Sequence, residues 1–339
     1  MQSVNKNQIA RLAALTLIFS YIELMFPRII PFFRLGLGNT ALLLGLSLNF
    51  PSYLLLSIIK AVTTNLMAGT LITPFFLISL VQNLLSALVM FTLYRMPALP
   101  HTNKKPFTFY GISIAGSAVS AAAQILLSAL YLGSGTLSLL GPMLLFNTAS
   151  GIITAWLAFY TGGESLPLAR TSLLTTPSSG GHPRNTPLQI CVLATAVVAV
   201  FFIKNTWILC IALCLSLTAQ ILCKRKVLIT PHISMWLFVI ISSVLIPNGK
   251  VLFTILDFKV TQGALLTGVQ KALKLSAVSA LSQCAINLKP AENTILGLTI
   301  EYYKTMSNTF RNTEGSVFTK LNAALSIQQN EQPQNQTEE

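Results

Sequence analysis

The feature that most constrains this chain is a series of apolar runs, each about as long as a helix that crosses a membrane. The hydrocarbon core of a bilayer is about 30 Å thick and takes roughly 20 helical residues to cross. Runs of that kind recur along the sequence, and only 9% of the residues are charged while 53% are hydrophobic. A soluble globular chain carries about 25% charged residues. The sequence therefore predicts an all-α polytopic membrane protein.

The apolar runs predict about ten transmembrane helices in two bundles. The predicted spans lie near 9–26, 37–49, 51–69, 73–94, 108–132, 139–161, 188–203, 205–223, 229–247 and 262–287. A polar stretch at 163–187, rich in Ser, Thr, Pro and Gly, is interpreted as a cytoplasmic linker. It would separate a membrane domain at 1–162 from a membrane and coupling domain at 188–325. The glutamine-rich tail at 326–339 has too little apolar surface to pack and is predicted to be disordered.

The distribution of basic residues predicts the orientation in the membrane. The chain has 22 lysines and arginines against nine acidic residues, a net charge of +13. Most of the basic residues fall in loops that share one side if the N-terminus is cytoplasmic, as the positive-inside rule requires. We therefore expect a multi-pass protein of the cell membrane, inner or plasma, with both termini in the cytoplasm. The basic loops lack interleaved aromatic residues, so the charge does not indicate nucleic-acid binding.

The loop at 26–39 carries the first candidate substrate-binding residues, which are Arg28, Arg34, Gly36, Gly38 and Asn39. The predicted span that follows is short and interrupted by glycines, as binding-site segments of transporters often are. A helix that begins near Gly38 would direct its N-terminal amides toward an anion beside Arg34. The alternative is that both arginines lie at the membrane interface and contact lipid phosphate.

A second group of candidates lies inside the predicted spans. Lys60 follows Pro51 by nine residues, which places it about 14 Å into its helix, near the bilayer midplane. A lysine at that depth is costly and is expected to face a cavity or a partner. Asn65 and Gln124 add polar groups that could face the same cavity. The alternative for each amide is a hydrogen bond that joins two helices.

Residues 34–39 (Arg-Leu-Gly-Leu-Gly-Asn), followed by the intramembrane Lys60, resemble the integral-membrane family called Gx transporter or heptaprenyl diphosphate synthase component I. That family is similar to the substrate-binding S components of energy-coupling-factor (ECF) transporters, and the resemblance covers residues 1–162. It implies that the candidates above bind a substrate. It also implies that Ala10 and Ala14, in a small-xxx-small pattern, meet a coupling subunit.

Residues 260–275 are similar to a late span of ECF-type T components, which implies a cytoplasmic coupling segment at 291–325. The resemblance would put Arg311 and Gly315 at a contact with an ATPase. An apolar stripe of Ile295, Leu298, Tyr302 and Met306 predicts an amphipathic helix there. The alternatives are a helix that lies on the bilayer surface and, for this half of the chain, an accessory membrane bundle.

Several classes of activity are disfavoured by the composition. Prenyl diphosphate synthases need clusters of aspartates to hold Mg²⁺, and this chain has one aspartate, Asp257. There is no Walker A motif for ATP, and the five cysteines form no metal-binding pattern. We therefore predict a non-enzymatic protein that binds no metal or cofactor itself, with ATP hydrolysed by partner subunits.

Two functions from different classes remain. The first is a transporter subunit, in which an S-like half is fused to a T-like coupling half for uptake of a small anionic or amphiphilic solute. Its partners would be the ATP-binding subunits of an ABC or ECF-type transporter. The second is a non-catalytic membrane component associated with a heptaprenyl or other polyprenyl diphosphate synthase.

Overall fold

The computed structural model describes residues 2–25, 36–68, 70–97, 106–162, 186–222, 229–244, 247–255, 258–284, 294–316, 319–321 and 323. These residues form eleven α-helices and one β-hairpin. The elements are α1 Gln2–Met25, α2 Asn39–Leu44, α3 Phe50–Ala68, α4 Pro74–Arg95, α5 Phe109–Leu132, α6 Leu140–Gly162, α7 Thr186–Phe202, α8 Thr206–Leu222, α9 Ile229–Val244, β1 Val251–Ile255, β2 Phe258–Thr261, α10 Gln262–Cys284 and α11 Ile295–Asn312.

The helices agree with an all-α membrane protein, but the count of ten spans is not confirmed. Among the described residues, three helical segments are long and apolar enough to cross a membrane: Pro74–Arg95, Phe109–Tyr131 and Ser134–Tyr160. Three further apolar helical segments are shorter, at Cys191–Phe202, Thr206–Leu222 and Met235–Val244. Helices α1 and α10 have sufficient length, but they carry charged residues such as Lys6 and Arg11 in α1 and Lys271 in α10.

The helices up to α6 pack around one interior. Helix α1 lies against α2 and α3, and α3 to α6 pack in chain order. One apolar cluster joins Leu12 of α1, Leu56 of α3 and Met90 of α4, all of which are buried. Small residues allow close approach of α5 and α6: a Cβ on Gly151 would lie 3.0 Å from the Ile114 backbone. This packing gives α3 and α6 buried faces that can carry polar groups away from lipid.

In the second half of the chain, α10 packs against α7, α8 and α9. Val278 of α10 and Leu209 of α8 are completely buried in the cluster between them. The two groups of helices touch near the loop after α3, where Ser282 accepts a hydrogen bond from the backbone N–H of Ile72 at 3.1 Å. The predicted arrangement in two bundles and its domain boundaries stay predictions.

Two local features differ from the sequence prediction. The expected span at 37–49 is the six-residue helix α2 followed by a 3₁₀ turn at Gly45–Ser47, because glycine and the extended Leu48 end the helix. The stretch between the predicted spans at 229–247 and 262–287 was assigned no element, and it contains the antiparallel hairpin β1–β2. Gly249, with a φ of +86°, turns the chain into that hairpin.

Helix α11 packs along α1. The residues it buries are Thr299, Tyr303, Met306 and Phe310. Of the predicted stripe, Met306 is buried and Ile295 and Tyr302 pack against the apolar clusters, whereas Leu298 is only half-buried. Tyr303, Met306 and Phe310 share an apolar cluster with Ala14, Leu15 and Phe19 of α1. The Arg11 guanidinium lies 5.4 Å from the centre of the Tyr302 ring. The apolar face of α11 is thus covered by the chain itself.

Candidate functional site

The sequence motif at 36–39 forms a tight turn that begins α2. Gly36 has a φ of +72°, and its carbonyl accepts the Asn39 backbone N–H at 2.7 Å. Residues other than glycine rarely adopt that conformation. The Gly36 N–H in turn donates to the Glu23 carboxylate at 3.3 Å, which ties the turn to the end of α1. The turn therefore fixes the backbone position from which the Asn39 side chain extends.

Asn39 and Lys60 meet inside the helices. The Lys60 ammonium donates a hydrogen bond to the Asn39 side-chain carbonyl oxygen, Oδ1. Lys60 is only 7% exposed and lies on the face of α3 opposite the exposed Ile58. The two residues are 21 positions apart in the chain, and the turn after α1 together with the short α2 brings them together. The structure thus joins two of the predicted site residues in one buried polar contact.

Gly38 lets α2 approach both α1 and Lys60. A Cβ at this position would lie 3.1 Å from Thr16 Cγ2, 3.2 Å from Ser20 Oγ and 3.6 Å from Lys60 Cε. Because the space is this small, the position accepts a side chain only if a neighbour moves. Gly38 therefore sets the distance between the α2 turn and the lysine.

Sequence reasoning missed the contribution of α1 to this site. Thr16, Ser20 and Glu23 recur at i, i+4 and i+7, the spacing of residues on one face of a helix. Two of them lie beside Gly38, and the third binds Gly36. That periodic polar spacing in the apolar part of α1 that follows Arg11 was the signal that could have identified them.

The other predicted binding residues are distributed differently. The Asn65 amide donates to the Ala61 carbonyl at 2.7 Å and to Ser79 Oγ at 3.0 Å, and its oxygen accepts from Thr70 at 2.8 Å. These bonds join α3, α4 and the loop between them, which is the helix-packing alternative. Gln124 is half-buried on α5. Arg28 and Arg34 lie outside the described residues.

The predicted coupling residues fall into two environments. Ala10 and Ala14 are completely buried, and Ala14 contributes to the cluster shared with α11. Neither alanine is accessible to a separate subunit in this arrangement, and at Ala14 the cluster that excludes it includes residues of α11. Arg311 and Gly315 are exposed at the end of α11 and beyond it, and Gly315 has a φ of +120°.

The described residues contain no group of three His, Cys, Asp or Glu side chains that could hold a metal ion. The site combines the Lys60 amine, the Asn39 amide and the hydroxyls of Thr16 and Ser20, and the Glu23 carboxylate lies at the α2 turn, bound by the Gly36 N–H. Such a set can bind and orient an anion, since ammonium and hydroxyl groups both donate hydrogen bonds.

Comparison with known families gives two matches. Residues 12–161 match the family described as Heptaprenyl diphosphate synthase component I. Residues 187–288 match a family described as Domain of unknown function (DUF8519). No curated protein and no solved structure matches the chain. The first match confirms the predicted component I resemblance and includes Asn39 and Lys60, whereas the likeness to ECF components is not confirmed.

Proposed function

We propose that this protein, whose residues 12–161 match the heptaprenyl diphosphate synthase component I family, is a membrane transporter subunit. It would bind a small anionic or amphiphilic solute beside Lys60. The observation that carries the proposal is the burial of Lys60 among helices α1, α2 and α3, with its ammonium on Asn39.

The physical reason is the cost of a charged amine at membrane depth. A lysine near the bilayer centre costs about 2.5–3.5 kcal/mol on insertion scales, and intramembrane charges are generally functional. Methionine has a similar length and would fill the same space without that cost. A purely structural role would thus be served better by an apolar side chain, whereas an anionic solute needs the positive charge.

The second half of the chain would couple this site to separate ATPase subunits. In this proposal the binding half and the coupling half correspond to the S-like and T-like resemblances of the sequence. Arg311 is exposed at the end of α11, so it is available for a contact with a partner. The burial of the opposite face of α11 against α1 gives a direct physical path between that contact and the helix that carries Thr16 and Ser20.

The family match favours a second candidate. The matched family is described as a component of heptaprenyl diphosphate synthase, so the chain could be the non-catalytic membrane component of such an enzyme. In that case Lys60 would hold the diphosphate of a prenyl chain, and the partner would be a soluble synthase subunit.

Affinity purification of the full chain from a mild detergent separates the two candidates. Co-elution of nucleotide-binding subunits supports the transporter, and co-elution of a soluble prenyl synthase supports the second candidate. Arg311→Lys and a deletion of residues 307–325 are expected to release the ATPase subunits, while Lys204→Met, at an exposed lysine in the α7–α8 connection, serves as the control. Retention of the ATPase subunits by both α11 variants would remove the coupling role of α11.

A further inference from the structure

The inner face of α3 carries more polar groups than Lys60 alone. Tyr53, Ser57, Lys60 and Thr64 recur at i, i+4, i+7 and i+11, which places them on one side of the helix. Tyr53 and Ser57 are completely buried, and the buried stripe faces α2 at Lys60 and the Phe91 ring of α4 at Tyr53, 5.3 Å away. We call these four residues the α3 stripe.

Three hydroxyls of the α3 stripe have no hydrogen-bond partner among the described residues. They are Tyr53 OH, Ser57 Oγ and Thr64 Oγ1, each inaccessible to solvent in this structure. The neighbouring Thr63 behaves differently, because its hydroxyl donates to the Ile59 carbonyl at 2.7 Å, one turn earlier in the same helix. A buried hydroxyl without a partner is costly. Burial of the α3 stripe against its neighbouring helices is therefore energetically unfavourable at these three hydroxyls.

Helix α2 also carries a buried hydroxyl without a hydrogen-bond partner among the described residues. Thr40, next to Asn39 on α2, is completely buried, and its Oγ1 also lacks a partner among the described residues. Unpartnered hydroxyls thus occur on two helices that meet at Lys60. Separation of these helices would let water or a solute supply the missing acceptors.

We infer that the bundle opens along the α3 stripe to admit its ligand, and that this ligand is an elongated solute with one anionic group flanked on both sides by neutral oxygen acceptors. Tyr53 and Thr64 are eleven residues apart, which corresponds to about 16 Å along the helix. The charge lies between them at Lys60, and the flanking hydroxyls are uncharged donors. This inference rests on the proposed transport function and deepens it.

The stripe argues against a hydrocarbon tail at this site. An apolar chain laid along α3 would leave the hydroxyls of Ser57 and Thr64 unpaired, as they are in the closed state. A solute with carbonyl or hydroxyl oxygens on either side of its charge would pair them. The chemistry therefore favours a polar anion over a prenyl diphosphate.

Thiol accessibility tests the opening without knowledge of the ligand. In the full chain freed of its five native cysteines and reconstituted in liposomes, Ser57→Cys and Thr64→Cys are treated with membrane-impermeant methanethiosulfonates of negative and positive charge. The matched controls are Leu56→Cys and Ile59→Cys, which are buried on the same helix in an apolar cluster. We expect the stripe cysteines to react about tenfold faster than the controls, because opening hydrates the stripe.

The charged reagents separate this inference from the function on which it rests. With Lys60 present, the ratio of anionic to cationic reaction rates at both stripe positions should exceed the ratio in the Lys60→Met background. Equal rates at stripe and control cysteines would overturn the opening along α3. If the stripe cysteines react fast but the ratio of anionic to cationic reaction rates is the same with Lys60 and with Lys60→Met, the opening is supported. The anion site of the proposed function is then overturned.

Discussion

Replacement of Lys60 by methionine should leave the protein about as stable as before or more stable. The change removes a buried ammonium, and burial of lysine at membrane depth costs about 2.5–3.5 kcal/mol. It also removes the donor to Asn39 Oδ1, and a buried acceptor left unpaired costs about 1–3 kcal/mol. The difference ranges from about 0.5 kcal/mol less stable to about 2.5 kcal/mol more stable.

The assay is thermal unfolding of the detergent-solubilised full chain, followed by the loss of its monodisperse elution peak. A gain of 1 kcal/mol raises the midpoint by roughly 2–4 °C in a chain of about 150–250 residues, and by less in a longer chain such as this one. The double variant Lys60→Met with Asn39→Leu removes both polar groups and should be more stable than Lys60→Met alone. Lys204→Met, at an exposed position, should leave the midpoint unchanged.

Lys60 is expected to serve ligand binding because its buried charge destabilises the folded protein. If Lys60→Met lowers the midpoint by several degrees, the lysine stabilises the bundle and its burial no longer argues for ligand binding. If the unfolding midpoint is unchanged or rises while solute uptake is lost, Lys60 is required for activity and does not stabilise the fold, as is common for binding-site residues.

Three further outcomes test other parts of the structure. Gly36→Ala should destabilise the α2 turn by about 1–2 kcal/mol because the φ of +72° is unfavourable for alanine, whereas Gly141→Ala, with no atom within 4 Å of the added Cβ, should not lower the melting midpoint. Phe310→Ala should cost about 3–5 kcal/mol in the α1–α11 contact and expose residues near α11 to limited proteolysis, whereas the exposed Arg311→Ala should leave the digestion pattern as it is. Engineered cysteines at Asn103 and Ser178 should escape impermeant thiol labels added outside intact cells, because both are predicted to be cytoplasmic; efficient labelling of either would reverse the predicted orientation.

Most helices could be predicted because apolar runs of the required length specify them directly. The hairpin at 251–261 was missed, although Val251 to Ile255 consists of residues that favour strands. The strand preference of a residue depends on its packing context, so five such residues between two predicted spans do not by themselves specify a strand. The buried face of α11 was predicted in part: Met306 is buried and Tyr302 packs against the α1 cluster, but the position of α1 buries Tyr303 more completely.

The candidate site was also predictable only in part, because the sequence identifies its residues but not the contacts between them. Lys60 and Asn39 were identifiable as unusual residues in apolar surroundings, but their contact depends on the length of α2 and on the turn at Gly36. The amide of Asn65 has the same chemistry as that of Asn39 and bonds instead to Ser79. Sequence gives the type of each polar side chain, whereas the helix that it faces is determined by packing.

The contact between α1 and α11 also affects how the protein must be made. At about 5–20 residues per second, a ribosome needs roughly 15–60 s to pass from one helix to the other. Throughout that interval the face of α1 that carries Ala14, Leu15 and Phe19 has yet to meet Tyr303, Met306 and Phe310. Nascent α1 must therefore be held by lipid or by a chaperone until α11 emerges, and a chain that stops before Ile295 would leave that face permanently without its cover.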